Sequence, residues 1–287
     1  MAGLISIIVT TFDRPDALDA VLRSLARQGD RRFEVVVADD GSGPATTTLI
    51  EQWQPQLGVS LLHARHEHRG FRVAEIRNRA IRASSGDYCV FLDGDCLARP
   101  DFVARHRALA ESGWFVTGNR ALLTSSLTEV VLRQRLGVEG WRTADWIRQR
   151  FKGGLNRLAP LLRLPLGPLR KVRPQAWRGA RSCNLAVWRC DLDRVDGFDA
   201  DFSGWGREDS DLLVRLLHAG VRRKDGAGAT GVLHLWHPEA DRSRLSDNEQ
   251  RLARVIEGRH VRAGRGISAL DSDPQQDAPG QPYAEAR

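Results

Sequence analysis

Three short apolar runs set the frame of this chain, and each ends in hydroxyl or carboxylate side chains. Leu4-Ile5-Ser6-Ile7-Ile8-Val9 leads into Thr10-Thr11-Phe12-Asp13-Arg14, Phe33 to Ala38 into Asp39-Asp40-Gly41-Ser42-Gly43, and Tyr88 to Leu92 into Asp93-Gly94-Asp95. Such runs are too short for helices and lack the alternation of a half-exposed strand, so they read as strands of a parallel sheet covered on both faces. Parallel strands need crossover helices. Between the first two runs, Leu18, Val21, Leu22 and Leu25 recur at helical spacing, with Asp13 as a candidate N-cap and Pro15 tolerated in the first turn. A weaker strand at Val59 to Leu62 and a helix at Val73 to Ala83 lead to the third run. Residues 1–100 therefore form the first half of an α/β domain, built to bind a nucleotide.

Beyond Pro100 the alternation loosens. A helix near Asp101 to Glu111, a strand at Trp114 to Thr117 and a long helical or irregular stretch over 125–175 precede a last ordered unit. That unit holds Asn184 to Trp188, a Gly- and Trp-rich loop at 197–206, a helix over 208–219 and a strand near Val232 to Trp236. The second half spans 101–267, and the Asp-, Gln- and Pro-rich tail at 268–287 is expected to be disordered. No apolar run reaches the ~18 residues of a membrane span. Leu4 to Val9 is too short and lacks the basic leader of a signal peptide. Four cysteines without a C-x-x-C pair argue against a zinc site and a disulfide framework, so a cytoplasmic protein is expected.

Ligands of open parallel sheets bind at the carboxyl ends of the strands, where the strand order reverses. Thr10, Phe12, Arg14, Asp40, Asp93 and Asp95 all follow strands, although Asp and Ser are also ordinary turn residues. In extended backbone, Asp93 and Asp95 would point to one side, and two close carboxylates call for a hard divalent cation with oxygen ligands. Arg77, on the preceding helix, either belongs to a solvated basic face with Arg79 and Arg82 or reaches an anionic nucleotide. In Phe202-Ser203-Gly204-Trp205-Gly206-Arg207-Glu208-Asp209-Ser210-Asp211 the acids suit a helix N-terminus. The flanking glycines also leave Trp205 free to face a sugar, with a carboxylate as general base. His234 and His237, three apart at a strand end, are candidate ligands that would complete the shell begun by Asp95.

The segments Ser6 to Arg14, Ala38-Asp39-Asp40-Gly41-Ser42, Arg77-Asn78-Arg79-Ala80-Ile81 and Phe91-Leu92-Asp93-Gly94-Asp95, in this order, resemble the signature of family 2 glycosyltransferases with the GT-A fold. Cys183-Asn184-Leu185-Ala186 and Gly204 to Asp211 resemble the acceptor-side motif of β-1,4-galactosyltransferases and polypeptide N-acetylgalactosaminyltransferases, with Arg207 in place of the second glycine. The resemblance covers about residues 4–240 and implies a GT-A (Rossmann-like) sheet continuous with a smaller acceptor-binding subdomain. It further implies inverting transfer of a sugar, most often from a UDP-sugar, to a hydroxyl of a glycan or glycolipid, as in bacterial surface polysaccharide or lipopolysaccharide synthesis. Thr10, Phe12, Arg14, Asp40, Arg77 and Asp93 would hold the nucleotide, and Asp95 with His237 or His234 would ligate Mn²⁺ or Mg²⁺. Asp209 would be the general base, Glu208 would orient the acceptor, and Trp205 and Gly206 would line its site. Two other readings compete. Phe91 to Cys96 resembles the nucleophile loop of haloacid-dehalogenase-type phosphatases, although Cys96 stands where that loop has Thr or Ser. A catalytically silent carbohydrate-binding protein would instead be marked by a lost acid.

The charge has a location. The chain carries +7 overall, yet twelve basic and two acidic residues between Val130 and Ala180 make that segment +10 and leave the remainder at −3. Trp141, Trp146, Ile147 and Phe151 interleave with its arginines, a composition suited to an anionic membrane surface or a phosphorylated glycolipid. Peripheral attachment to the inner face of the cytoplasmic membrane is the expectation, against an insertion that simply packs on the core. No nucleic-acid motif accompanies the patch, so nucleic acid is not an expected partner.

Overall fold

The computed structural model describes residues 2–239 and 241–272. The first half alternates strand and helix: β1 (Ile5–Thr11), α1 (Pro15–Ala26), β2 (Phe33–Asp39), α2 (Pro44–Trp53), β3 (Leu61–Arg65), α3 (Val73–Ala83) and β4 (Tyr88–Asp93). It continues through β5 (Cys96–Leu97), α4 (Phe102–Leu109), β6 (Trp114–Thr117), β7 (Arg120–Leu122), α5 (Ser125–Arg133) and α6 (Thr143–Phe151). β8 (Asn184–Trp188), α7 (Arg189–Val195), α8 (Glu208–His218), β9 (Arg222–Asp225), β10 (Val232–His234) and α9 (Leu245–Glu257) complete the order.

Seven strands form one sheet in the order β3-β2-β1-β4-β8-β6-β9. The first four run parallel, and β8 lies antiparallel to both β4 and β6. Alternation along β1 divides the core: Ile5, Ile7 and Val9 pack with Leu18, Leu22 and Leu25 of α1, while Ile8 faces Ile76 and Ala80 of α3 and Leu212 and Leu213 of α8. Both faces are covered, which explains why the strands carry few polar residues. A second sheet, β5-β10-β7, pairs His234 with Cys96 and Leu122. It brings the end of β10 against the turn that follows β4.

Several expectations need correction. Asp13 does not cap α1: the N-cap is Arg14, without a side-chain bond, and Asp13 sits at φ 44° with its carboxylate accepting from Gly43 N at 2.7 Å. It ties the loop after β1 to the turn after β2. The weak strand lies at Leu61–Arg65 instead of Val59 to Leu62, and the last strand stops at His234. Helices α2, α7 and α9 were not anticipated, because Thr-rich or charge-rich windows mask their apolar stripe. The first residues of the expected tail are ordered. Ile267–Ser272 is a 3₁₀ turn, and Ser268 donates from its N and Oγ to Asp196 at 2.9 and 2.6 Å. The disorder expected for 273–287 lies outside the described residues.

Candidate active site

The register of the sheet assembles the site. Thr10 stands opposite Asp93 on one side and Ala38 on the other, and Thr11 opposite Asp39, so the carboxyl ends of β1, β2 and β4 finish level at the point where the strand order reverses. Asp93 is the last residue of β4, but Gly94 and Asp95 form a turn and not extended strand. The two carboxylates therefore do not share a side by strand alternation, which corrects the expectation. Gly94 approaches the backbone closely: its N donates to Thr10 O at 2.7 Å, and a Cβ there would lie 2.7 Å from the same oxygen. A larger residue would push this turn off β1.

Arg77 is buried, with a side chain only 4% exposed, which excludes a solvated basic face at this position. Its Nε donates to Thr10 Oγ1 at 3.2 Å, Nη2 to Asp93 at 3.3 Å and Nη1 to Glu208 at 3.2 Å. One guanidinium thus joins β1, β4 and the first turn of α8. Removing one partner of a buried ion pair commonly costs about 3–5 kcal/mol. Arg77→Met is expected to lower unfolding stability by about 3 kcal/mol, measured by denaturant titration. A loss below about 1 kcal/mol would show that the three partners are satisfied without it.

Glu208 is itself buried, and burial, with Asp209 beside it, pushes its carboxyl up to about 7. Asp209 is less enclosed. Its Oδ1 accepts from Ser210 N at 2.6 Å, and its Oδ2 from Ser182 N at 3.4 Å. Neither Ser203 nor Asp209 caps α8, whose N-cap is Arg207 at φ 78°. That left-handed conformation is one that glycine adopts more readily than arginine. Asn184, quoted above only as part of a motif, is fully buried and donates to the carbonyls of Thr230 and Asn119 while accepting from His106. It locks the start of β8 beside the site.

Asp95 faces two imidazoles: His234 Nε2 is 3.4 Å from Oδ1 and His237 Nε2 is 3.3 Å from Oδ2. Burial raises the Asp95 carboxyl, whereas burial lowers His234 to about 4, leaving a neutral imidazole with a lone pair. A buried carboxylate beside a neutral imidazole lacks a cation, so this donor set fits a divalent metal. The ligand-bearing atoms of Asp95, Cys96 and His234 lie within 4.8 Å of one another. Arg14 flanks the group and donates weakly to Trp236 O at 3.5 Å.

Phe12 is 42% exposed and stacks on His68, with centroids 4.3 Å apart. Trp205 is half-buried under Arg242, whose guanidinium carbon lies 5.0 Å from the ring centroid. Sequence reasoning missed Asn248. It is 2% exposed on α9 and donates to Ser203 O at 3.2 Å and Gly206 O at 2.9 Å, clamping the loop that carries Trp205. His66, beside Asp40, was also missed; neither residue belongs to a short motif.

A mostly parallel α/β sheet with acids at its carboxyl edge is the architecture of the GT-A glycosyltransferases. Residues 6–167 match glycosyl transferase family 2, and residues 171–238 match a family described as the N-terminal domain of galactosyltransferase. The chain belongs to glycosyl transferase family 2. It is 31% identical over 232 residues to the validoxylamine A glucosyltransferase of Streptomyces hygroscopicus subsp. limoneus, covering 76% of this chain and 49% of that protein. It is 30% identical over 237 residues to the hyaluronan synthase of Pasteurella multocida, covering 75% of this chain and 23% of that one. The chain therefore spans about half or less of the length of these relatives. Among solved structures, GalNAc-T7 with UDP, GalNAc and Mn²⁺ superposes with a TM-score of 0.62 at 15% identity, over 88% of this chain and 48% of that one. The phosphatase reading has no support among these relatives. No helix among the described residues is long and apolar enough to cross a membrane.

Proposed function

We propose that this glycosyltransferase moves a sugar from a UDP-sugar to a hydroxyl of a glycan or glycolipid, with inversion, in the synthesis of a bacterial surface polysaccharide or lipopolysaccharide. The observation that carries the reading is the Arg77 junction, which joins the strand ends expected to hold a nucleotide to the helix expected to hold the base. Thr10, Phe12, Arg14, Asp40, Arg77 and Asp93 take the nucleotide. Asp95, His234 and His237 are the residues that would hold Mn²⁺ or Mg²⁺, and the ion would supply positive charge against the departing diphosphate. Asp209 accepts the proton of the attacking hydroxyl. Its carboxylate is fixed by Ser182 N and Ser210 N, so it meets the acceptor in a set orientation. Glu208 orients the acceptor, and Trp205 and Gly206 line its subsite. A donor screen tests the reading: UDP release from UDP-sugars, with and without Mn²⁺, is expected to exceed release from GDP-, ADP- and CMP-sugars. Release from none of them, with added glycans present, would favour a silent carbohydrate-binding protein.

The basic segment supports a second partner, an anionic membrane on its cytoplasmic side. Within it Trp146, Leu155 and Leu161 pack into the core, so part of the segment is structural. Ile147 and Phe151, one helical turn apart on α6, are 41% and 88% exposed beside Arg148, Arg150 and Lys152. Burying one phenylalanine in lipid is worth about 2 kcal/mol. Phe151→Asp is accordingly expected to reduce co-sedimentation with phosphatidylglycerol vesicles at low salt by roughly tenfold. Equal sedimentation of the variant, or none by the parent protein, would remove the membrane from the proposal.

A further inference from the structure

The loop between β3 and α3 grips Asp40 from three directions. His66 Nε2 lies 2.6 Å from Oδ1, Arg72 N donates to Oδ2 at 3.0 Å, and His68 Nδ1 lies 3.0 Å from the Asp40 carbonyl oxygen. The fit leaves no slack: Gly41 has φ 88°, and a Cβ on it would come within 2.4 Å of His68 N. His68 also stacks on Phe12, so this loop touches two of the residues assigned to the base.

His66 has no exposed side-chain surface. Behind it, on α3, Glu75 Oε1 lies 3.6 Å from Nδ1 and is itself paired with Arg72 at 3.1 Å and Arg79 at 3.5 Å. A carboxylate, an imidazole and a second carboxylate thus stand in line, with two arginines closing the far end. Burial works against the imidazolium, yet the bonds to Asp40 and Glu75 outweigh it and raise His66 above its ordinary value. The same bond from His66, with Arg72 and Arg79, pulls Glu75 down to about 2. An imidazole with a carboxylate at each ring nitrogen, 2.6 Å from Nε2 and 3.6 Å from Nδ1, is held in one orientation.

We infer that His66 is a positioning residue for the donor nucleotide, which holds the Asp40 carboxylate in place to accept an N–H from the edge of the base. The inference rests on the assignment of Asp40 to the base. A carboxylate offers about four lone-pair sites. Two are taken by His66 and Arg72, which leaves acceptor capacity for an imide N–H such as that of uracil. Without His66, the buried Asp40 carboxylate would keep only the backbone donor of Arg72 and lose the bond that fixes Oδ1.

UDP binding in the presence of Mn²⁺, followed by calorimetry, tests this without an acceptor. His66→Asn is too short to reach Asp40 and is expected to weaken UDP binding roughly tenfold. His66→Gln, whose Nε2 can stand near the imidazole position, is expected to bind within roughly threefold of the parent. In an Asp40→Ala background, His66→Asn should cost nothing further, because His66 acts through Asp40. Parent-like affinity of His66→Asn, or an equal loss with and without Asp40, overturns the inference. If His66→Asn does not fold, Glu75→Gln removes the anion behind the imidazole; several-fold weaker UDP binding is then expected, and unchanged affinity counts against the inference. If the parent protein binds another nucleoside diphosphate but not UDP, the donor assignment fails and the inference with it.

Discussion

Replacing Asp209 by asparagine is expected to lower sugar transfer by ~10²-fold or more while leaving UDP affinity near that of the parent. Asparagine keeps the size, and with its Oδ1 on Ser210 N it still accepts the shorter of the two bonds that orient the carboxylate, losing only the 3.4 Å bond from Ser182 N. What it loses is the capacity to take a proton. The neighbouring acid is poorly placed to replace it, because Glu208 is buried and one of its oxygens accepts from Arg77 Nη1 at 3.2 Å. The measurement is UDP release with the best donor and acceptor pair, alongside calorimetric UDP binding. Turnover within a few-fold of the parent would remove Asp209 from the role of base.

The second large effect concerns Asp95. Asp95→Ala is expected to abolish the gain in UDP affinity that Mn²⁺ confers, a loss beyond the ~10²-fold typical of changes to groups that merely support a metal ligand. His234 and His237 sit against its two oxygens, so the substitution removes the anion from a three-residue donor set and leaves two imidazoles 5.1 Å apart by centroid. Titrating UDP with and without Mn²⁺ reads the effect directly. An unchanged metal-dependent gain would mean that the ion binds elsewhere. Stability should fall little, because the raised carboxyl shows that burying this charge costs the folded state free energy in the absence of a cation.

Much of the donor side was legible because the chemistry there follows short apolar strands. The strand runs ending at Asp39 and Asp93, and the helix Val73–Ala83, have the periodicities that separate buried strand from amphipathic helix. The turn at Gly94 was not legible, since a strand pattern says nothing of where the backbone bends after its last apolar residue. Arg77 illustrates a different limit. Its place on α3 could be read, but its burial depends on Glu208, 131 residues later in the chain, and no local window contains that partner. The same reason hides His66 and Asn248, whose partners are fixed by tertiary packing. The basic segment was legible as charge and only half legible as surface. Trp146 faces the core and Phe151 faces solvent, a difference set by their places around one helix and not by composition.

The clamp from α9 has a bearing on how the molecule comes into being. Strands β1 to β4, with the helices between them, are consecutive in the chain, so their pairing needs no later residue, although α8 is still required to cover one face of the sheet. The loop that carries Trp205 depends instead on Asn248, which follows Gly206 by 42 residues. During synthesis the nucleotide side therefore takes shape first, and the acceptor side stays open until nearly the last helix arrives. A growing chain at that stage has its first strand ends in register but not yet the loop that carries Trp205 clamped.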